Sequence, residues 1–350
     1  MDNKEVKKQF TEIRKTANYY MQEIMHALKL VFTATREFIK NKITSWWQIL
    51  FITVFVIVFL YYPLGGWLVH SIEKTPYKTQ TTDGRLASFD TVSYLINREI
   101  HHKIWTPNLP FIFPSFFLDN MPAFQMGIIN ACSQTILSFE GVSFAKATDA
   151  ARHNLLEGIN LLQYPEKIWM FSPHNKLVPA PSSGTQYKKG RKKINNFNNE
   201  IAADTTIIER TPENLSLILH TIKKDISKTV YKTEDHIREH SDSLIDTKKD
   251  DVFFYEQGKL YAYSIILNGL GSDFKNVLVK NDLYQAWTTM IKHLEKASEL
   301  NPLIVRNAKL DSSFGPNNLV AINYLASRAL NSFDYIINKL DSVRGLSDDH

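Results

Sequence analysis

Two histidines with a glutamate between them, in His236-Ile237-Arg238-Glu239-His240, match the H-x-x-E-H spacing of a zinc-dependent hydrolase. On a helix that spacing sets two imidazoles one turn apart as metal ligands and leaves the carboxylate to activate water. The surrounding run TEDHIREHSDS is polar throughout, whereas a metal helix needs an apolar face to pack its ligands into a dry site. The run is therefore read as a solvated helix face. Glu99 and His102 share the E-x-x-H spacing of carboxylate-bridged iron sites, which need a second such pair on another helix. Residues 70–350 contain no second pair, so His101 and His102 are read as surface or packing residues. Cys132 is the sole cysteine, which excludes an intrachain disulfide and a cysteine-rich metal site. It recurs at helical spacing with Phe124, Ile128, Ile136 and Phe139 and reads as a core thiol rather than a nucleophile. Glycine-rich phosphate loops, G-x-S-x-G elbows and G-x-G-x-x-G fingerprints are missing from the sequence. No catalytic residue, metal or cofactor is assigned, although a Ser/His/Asp site assembled from distant positions stays open because such triads are recognised by geometry.

The elements that would have to position any site read as helices. Ser88 is expected to cap a helix carrying Phe89, Val92, Leu95, Ile96 and Ile100 on one side. The stretch from Trp105 to Pro122 is too rich in proline for a helix and too apolar for a linker, so it is expected to be a packed, ordered loop. Asn120 is expected to cap the next helix, with Pro122 in its first turn. Further helices are expected from about 148 to 162, 211 to 245, 251 to 269, 282 to 299 and 317 to 344. Gly269 and Gly271, Pro302 and Gly345 are read as the stops of the last three. No run shows a strand's period of two, and the fold class is all-α.

Residues 46–69, WWQILFITVFVIVFLYYPLGGWLV, carry no formal charge over a length sufficient for a bilayer, which needs about 20 residues. Trp46 and Trp47 at one end and Tyr61, Tyr62 and Trp67 at the other suit two headgroup layers. Arg36, Lys40 and Lys42 precede the run against Lys74 and Lys78 after it, so the N-terminus is expected to be cytoplasmic and residues 70–350 periplasmic. No glycine or proline precedes Pro63, so a helix can run from the N-terminus into the span. Val6, Phe10, Ile13, Ala17, Tyr20, Ile24, Ala27, Val31, Ala34 and Phe38 follow alternating steps of four and three. That stripe fits either a coiled coil through which the protein forms a homo-oligomer or an amphipathic helix on the inner membrane surface. The expected organisation is residues 1–45 as that cytoplasmic helix, 46–69 as the span, 70–87 as a joint and 88–350 as one helical domain.

A net charge of +5 from 41 basic and 36 acidic residues, interspersed along the chain, does not imply nucleic-acid binding. One basic cluster stands out: Lys188, Lys189, Arg191, Lys192 and Lys193 follow the polar FSPHNKLVPAPSSG and suit an anionic surface if they are more than a solvated charge run. Polar residues set among aromatics in an ordered loop are common binding places, which singles out Trp105, Asn108, Asp119, Asn120 and Gln125. Their competing role is structural, with Asn120 a helix cap and the others satisfying backbone groups of a proline-rich loop.

The segments REIHHKIWTPNLPFIFPSFFLDNMPAFQMG, FFYEQGKLYAYSIILNGLGSDF and WTTMIKHLEKASELNPLIVRNAKLDSSFGPNNL resemble the uncharacterised proteobacterial membrane proteins of domain-of-unknown-function family 2333. The resemblance is weakest at about 165–210. Asn307-Ala308 and Asn317-Asn318 stand where that family would have Asn-Gly and Asn-His. The resemblance implies a Gram-negative inner-membrane protein with one N-terminal span, and it carries no catalytic residues. The function expected is a non-enzymatic envelope protein that binds a protein partner or lipid beside the membrane, with an envelope hydrolase as the alternative.

Overall fold

The computed structural model describes residues 22–23, 25–37, 46–75, 77, 84–107, 109–110, 112–170, 179–240, 246, 248–302, 304–307 and 317–347. The chain divides into two compact units, Met1–Pro63 and Leu64–His350. In the first, residues 25–37 are helical, and the apolar helix α1 (Trp46–Val69) begins. Of the N-terminal stripe, Ala27, Val31 and Ala34 lie on the described helix and are exposed; Val6, Phe10, Ile13, Ala17, Tyr20, Ile24 and Phe38 lie outside the described residues. α1 is long and apolar enough to cross a membrane, and almost none of its side chains is buried against protein.

The second unit is helical. After the last turns of α1 come α2 (Ala87–Asn97), a π-turn (Arg98–His102), a 3-10 turn (Pro114–Phe117) and α3 (Asn120–Leu137). They are followed by β1 (Phe144–Lys146), α4 (Asp149–Leu162), α5 (Ser183–Ala202), β2 (Ile207–Ile208) and α6 (Pro212–His240). The chain ends in α7 (Lys249–Asp273), α8 (Lys275–Lys280), α9 (Tyr284–Glu299) and α10 (Asn318–Ser347). Among the described residues the only sheet is the antiparallel pair β1–β2, with Phe144 opposite Ile208.

α7 is the axis of the core. It is buried almost all round, and it packs against α3 most extensively and then against α9 and α2. The α3–α7 crossing is set by two glycines. A methyl group at Gly127 would collide with the Tyr255 carbonyl, and one at Gly258 with the Phe124 carbonyl. Main chain thus lies against main chain where the two helices cross, closer than any side chain would permit. Cys132 sits in this core, fully buried, and burial pushes its thiol pKa up, so the core reading of the sequence holds.

Four local expectations are corrected. Gly269 and Gly271 do not stop a helix: α7 runs on to Asp273, because these glycines make room for the Ala87–Ser88 backbone and for the Trp287 indole. Ser88 does not cap α2; the Asp273 carboxylate accepts from the Ala87 and Ser88 N–H groups at 2.6 and 3.0 Å, satisfying orphan donors across the fold. The cap of α3 is Asp119, whose carboxylate accepts from the Asn120 N–H at 2.8 Å, one residue before the expected cap. The basic run of residues 188–193, which fell in none of the expected helices, is part of α5, whose Tyr187, Ile194, Phe197 and Ile201 face the core. α5 meets α4 at Gly158 and Gly190, where added methyl groups would lie 2.9 Å from Ile194 and from Leu162.

Candidate functional site

α2 does not end at Asn97 but widens into the π-turn, closed by the Lys103 N–H donating to the Arg98 carbonyl at 2.9 Å. π-turns are costly and recur at functional sites. This one is stabilised from behind by a buried polar network. Glu99 is fully buried and accepts from Arg98 Nε at 2.6 Å; Arg98 also donates to the Tyr261 hydroxyl at 2.6 Å and lies over its ring. The paired carboxylate and Tyr261 together hold the guanidinium pKa up against its burial.

Gln125, fully buried on α3, ties this turn to the loop beyond it. Its oxygen accepts from the Thr106 N–H at 3.0 Å and hydroxyl at 2.6 Å, and its amide donates to Glu99 Oε2 at 3.2 Å and to the Ile104 carbonyl at 3.0 Å. A buried amide with nearly every valence used fixes a loop that contributes few hydrogen bonds of its own.

The network positions the wall of a cleft of about 510 Å³. One side is the π-turn and the segment after it, with His101, His102, Lys103 and Ile104; the other is the start of α5, with Ser182, Gly184, Thr185 and Lys188; Leu109, Ile168 and Trp169 supply apolar lining. Trp105 stands between them, half-buried, its ring edge-on to Tyr187 at 5.3 Å and its indole N–H donating to the Glu166 carbonyl at 3.2 Å. Among the described residues lining the cleft none is acidic. Its electrostatics follow. The pKa of His101 is held below its ordinary value by desolvation and then by Lys188, Arg191 and His102. Burial also lowers the pKa of Lys103, against the opposing pull of Glu99, 3.7 Å away. Lys188 stands at the rim over an aromatic and aliphatic floor, a combination suited to an anionic group attached to an apolar body.

The structure brings together residues from both sequence-derived sets, Trp105 from the proline-rich loop and Lys188 from the basic cluster, in this one cleft. Gln125 lies behind it as a staple, Asp119 is a helix cap and Asn120 begins α3. Asn108 lies outside the described residues. Lys189 and Lys192 are exposed on α5, while Lys193 pairs with Glu157 at 2.6 Å. Sequence reasoning missed His101, His102, Lys103 and the 168–169 segment as parts of the cleft. The adjacent histidines were the available signal, but nothing in sequence shows that they face α5.

The H-x-x-E-H run is on α6. Its His236 is not solvated as expected: Nε2 lies 2.9 Å from Asp246 Oδ2, and both side chains are largely buried. The His236 and His240 rings stack at 4.4 Å, while Glu239 is exposed. Asp246 spends its other capacity on the Lys248 and Lys249 N–H groups and on Asn307, so the arrangement ties the start of α7 to α6. Among the described residues no group of three His, Cys, Asp or Glu side chains is placed to hold a metal.

The model of a bacterial protein family, described as uncharacterized protein conserved in bacteria (DUF2333), matches residues 108–334. The chain belongs to the DUF2333 family. No curated protein and no solved structure matches it. The DUF2333 match takes in α3 and α7 and therefore the glycine crossing, together with the α5 side of the cleft. The π-turn, Trp105 and α1 precede the matched range.

Proposed function

We propose that this DUF2333 protein is a single-pass protein of the bacterial inner membrane, with its N-terminus cytoplasmic and residues 70–350 periplasmic. Its helical domain binds the anionic headgroup of a lipid and performs no chemistry on it. The observation that carries the reading is the cleft in which His101, His102, Lys103 and Lys188 surround Trp105 and the apolar Leu109, Ile168 and Trp169. Lys188 at the rim, with no carboxylate among the described lining residues, favours a phosphate, and the apolar floor suits the glycerol and first methylenes of a lipid better than it suits a free ion. The apolar α1, with aromatic residues at both ends, supplies the setting.

The experiment is calorimetric titration of the full-length protein in mild detergent with dihexanoyl-phosphatidylglycerol, dihexanoyl-phosphatidylcholine and inorganic phosphate. Phosphatidylglycerol is expected to bind, and Lys188→Ala to weaken it about tenfold, the loss of one charge-assisted contact. Equal binding of inorganic phosphate would point to a free anion as the ligand. Indifference to headgroup charge and to Lys188 would refute the reading. Alkaline phosphatase fused after His350 is expected to be active, and an inactive fusion would reverse the orientation.

A further inference from the structure

The chain that leaves α1 is not a free tether. Ser71 N–H reaches Met121 Sδ at 3.4 Å, Lys103 Nζ donates to the Ser71 carbonyl at 3.1 Å, and Lys74 Nζ donates to the Leu300 carbonyl at 3.1 Å. The Tyr261 hydroxyl then donates to the Thr75 carbonyl at 2.8 Å. The last turns of α1, from Leu64 on, are part of the same body. A methyl group at Gly65 would collide with the Pro114 ring, and one at Gly66 would lie 3.6 Å from the Pro114 carbonyl and 3.8 Å from Leu118. The 3-10 turn Pro114–Phe117 is therefore pressed side-on against the end of the apolar helix.

Around that contact, large apolar side chains are partly exposed. Ile112 is 54% exposed and Phe116 49%, and on α1 Trp67 and Leu68 are exposed by about three-quarters. Phe113 meets the Trp169 ring at 6.3 Å, and Met170 next to it is also exposed, so the apolar surface extends toward the floor of the cleft. A water-facing loop does not ordinarily gather such residues, whereas a membrane-interface surface does. The occupant follows from continuity. A bilayer that holds α1 up to Trp67 has its headgroup layer at the level of Pro114.

We infer that the turn carrying Ile112 and Phe116 is a second membrane contact, inserted into the leaflet beside the end of α1, so that the domain lies on the bilayer. The inference rests on α1 being a span and needs no ligand in the cleft. It also gives the cleft a source of ligand: the floor residue Trp169, through its ring contact with Phe113, adjoins the surface that meets lipid.

The test uses the full-length protein in vesicles of phosphatidylcholine and phosphatidylglycerol, with an environment-sensitive fluorophore placed at Phe116→Cys, Ile112→Cys, Phe55→Cys or Lys280→Cys. Cys132 is fully buried, so the introduced thiol is the one that reacts. With doxyl-labelled lipid, labels at 112 and 116 are expected to lose emission as the label at 55 does, while the label at 280 keeps it. Quenching at 55 with none at 112 and 116 overturns the inference alone, and absence of quenching at 55 overturns the span reading beneath it. Labels at 112 and 116 that quench each other between molecules, untouched by doxyl lipid, would show that a second copy covers the surface and would also overturn the inference.

Discussion

Placing a methyl group at the α3–α7 crossing should separate the two helices on which the core is built. At Gly258 the new carbon would meet the Phe124 carbonyl and lie 2.9 and 3.0 Å from Phe124 C and Cα. At Gly127 it would meet the Tyr255 carbonyl and lie 2.8 Å from Lys259 N. Every obstructing atom is main chain, so no rotamer change relieves the clash and the helix axes must part. Overpacking of this kind costs about 3 kcal/mol, the upper end of its usual range. The higher helix propensity of alanine returns about 1 kcal/mol. Gly258→Ala should therefore lose about 2 kcal/mol net, lowering Tm by roughly 4–8 °C for a domain of this size. The same separation admits both methyl groups while each alanine returns its own propensity, so Gly127→Ala with Gly258→Ala should cost about 1 kcal/mol, less than either alone, a coupling of about 3 kcal/mol. Denaturant unfolding of the full-length protein and its three variants in one detergent measures this. Gly184→Ala serves as the control, since its methyl group would meet Trp105 at an ordinary 3.6 Å. Neutral single variants, or costs that simply add, would refute the main-chain contact.

Glu256 is fully buried, and desolvation pushes its pKa to about 7 even though the Thr233 hydroxyl donates to it at 2.8 Å. A carboxyl raised in the folded state contributes fully below its unfolded pKa of about 4.5, and the contribution is lost as pH rises through about 7. Glu256→Gln should flatten that fall in unfolding curves between pH 5 and 8 and stabilise the protein at pH 8 by up to about 3 kcal/mol; an unchanged pH profile would contradict it. Asp225, which pairs with buried Lys259 at 2.9 Å and accepts from the Tyr263 hydroxyl at 2.8 Å, should cost about 3–5 kcal/mol as Asp225→Ala, by thermal unfolding. Asp225→Leu with Lys259→Met should recover most of that loss, because the stranded cation goes too. Gln125→Leu should cost about 3 kcal/mol by the same measurement and weaken phosphatidylglycerol binding, since Thr106 and the Ile104 carbonyl lose their buried partner. Lys188→Ala should raise the pKa of His101 in an NMR titration by removing a like charge, and no change would place Lys188 too far away to act with it.

The sequence by itself determined the helical class, the long apolar helix, the core position of Cys132 and most helix boundaries. These follow from local periodicity, from the length of an uncharged run and from proline placement, each written within a few turns of chain. It also carried the family membership, through segments that prove to be α3 and α7. Their glycines were misread as stops at Gly269 and Gly271 because a glycine's role depends on what approaches it, and nothing local distinguishes a helix end from a close crossing. α5 was hidden for a related reason: five basic residues dominate the run, and Tyr187, Gly190, Ile194, Phe197 and Ile201 show as a face only once α4 covers them. The cap of α2 by Asp273, the stapling by Gln125, and the meeting of His101, Trp105 and Lys188 in one cleft were decided by tertiary structure alone. Hydrogen bonds and electrostatic fields act over a few ångströms of space, and these partners are separated by up to some 190 positions of chain, a distance over which no sequence pattern is imposed.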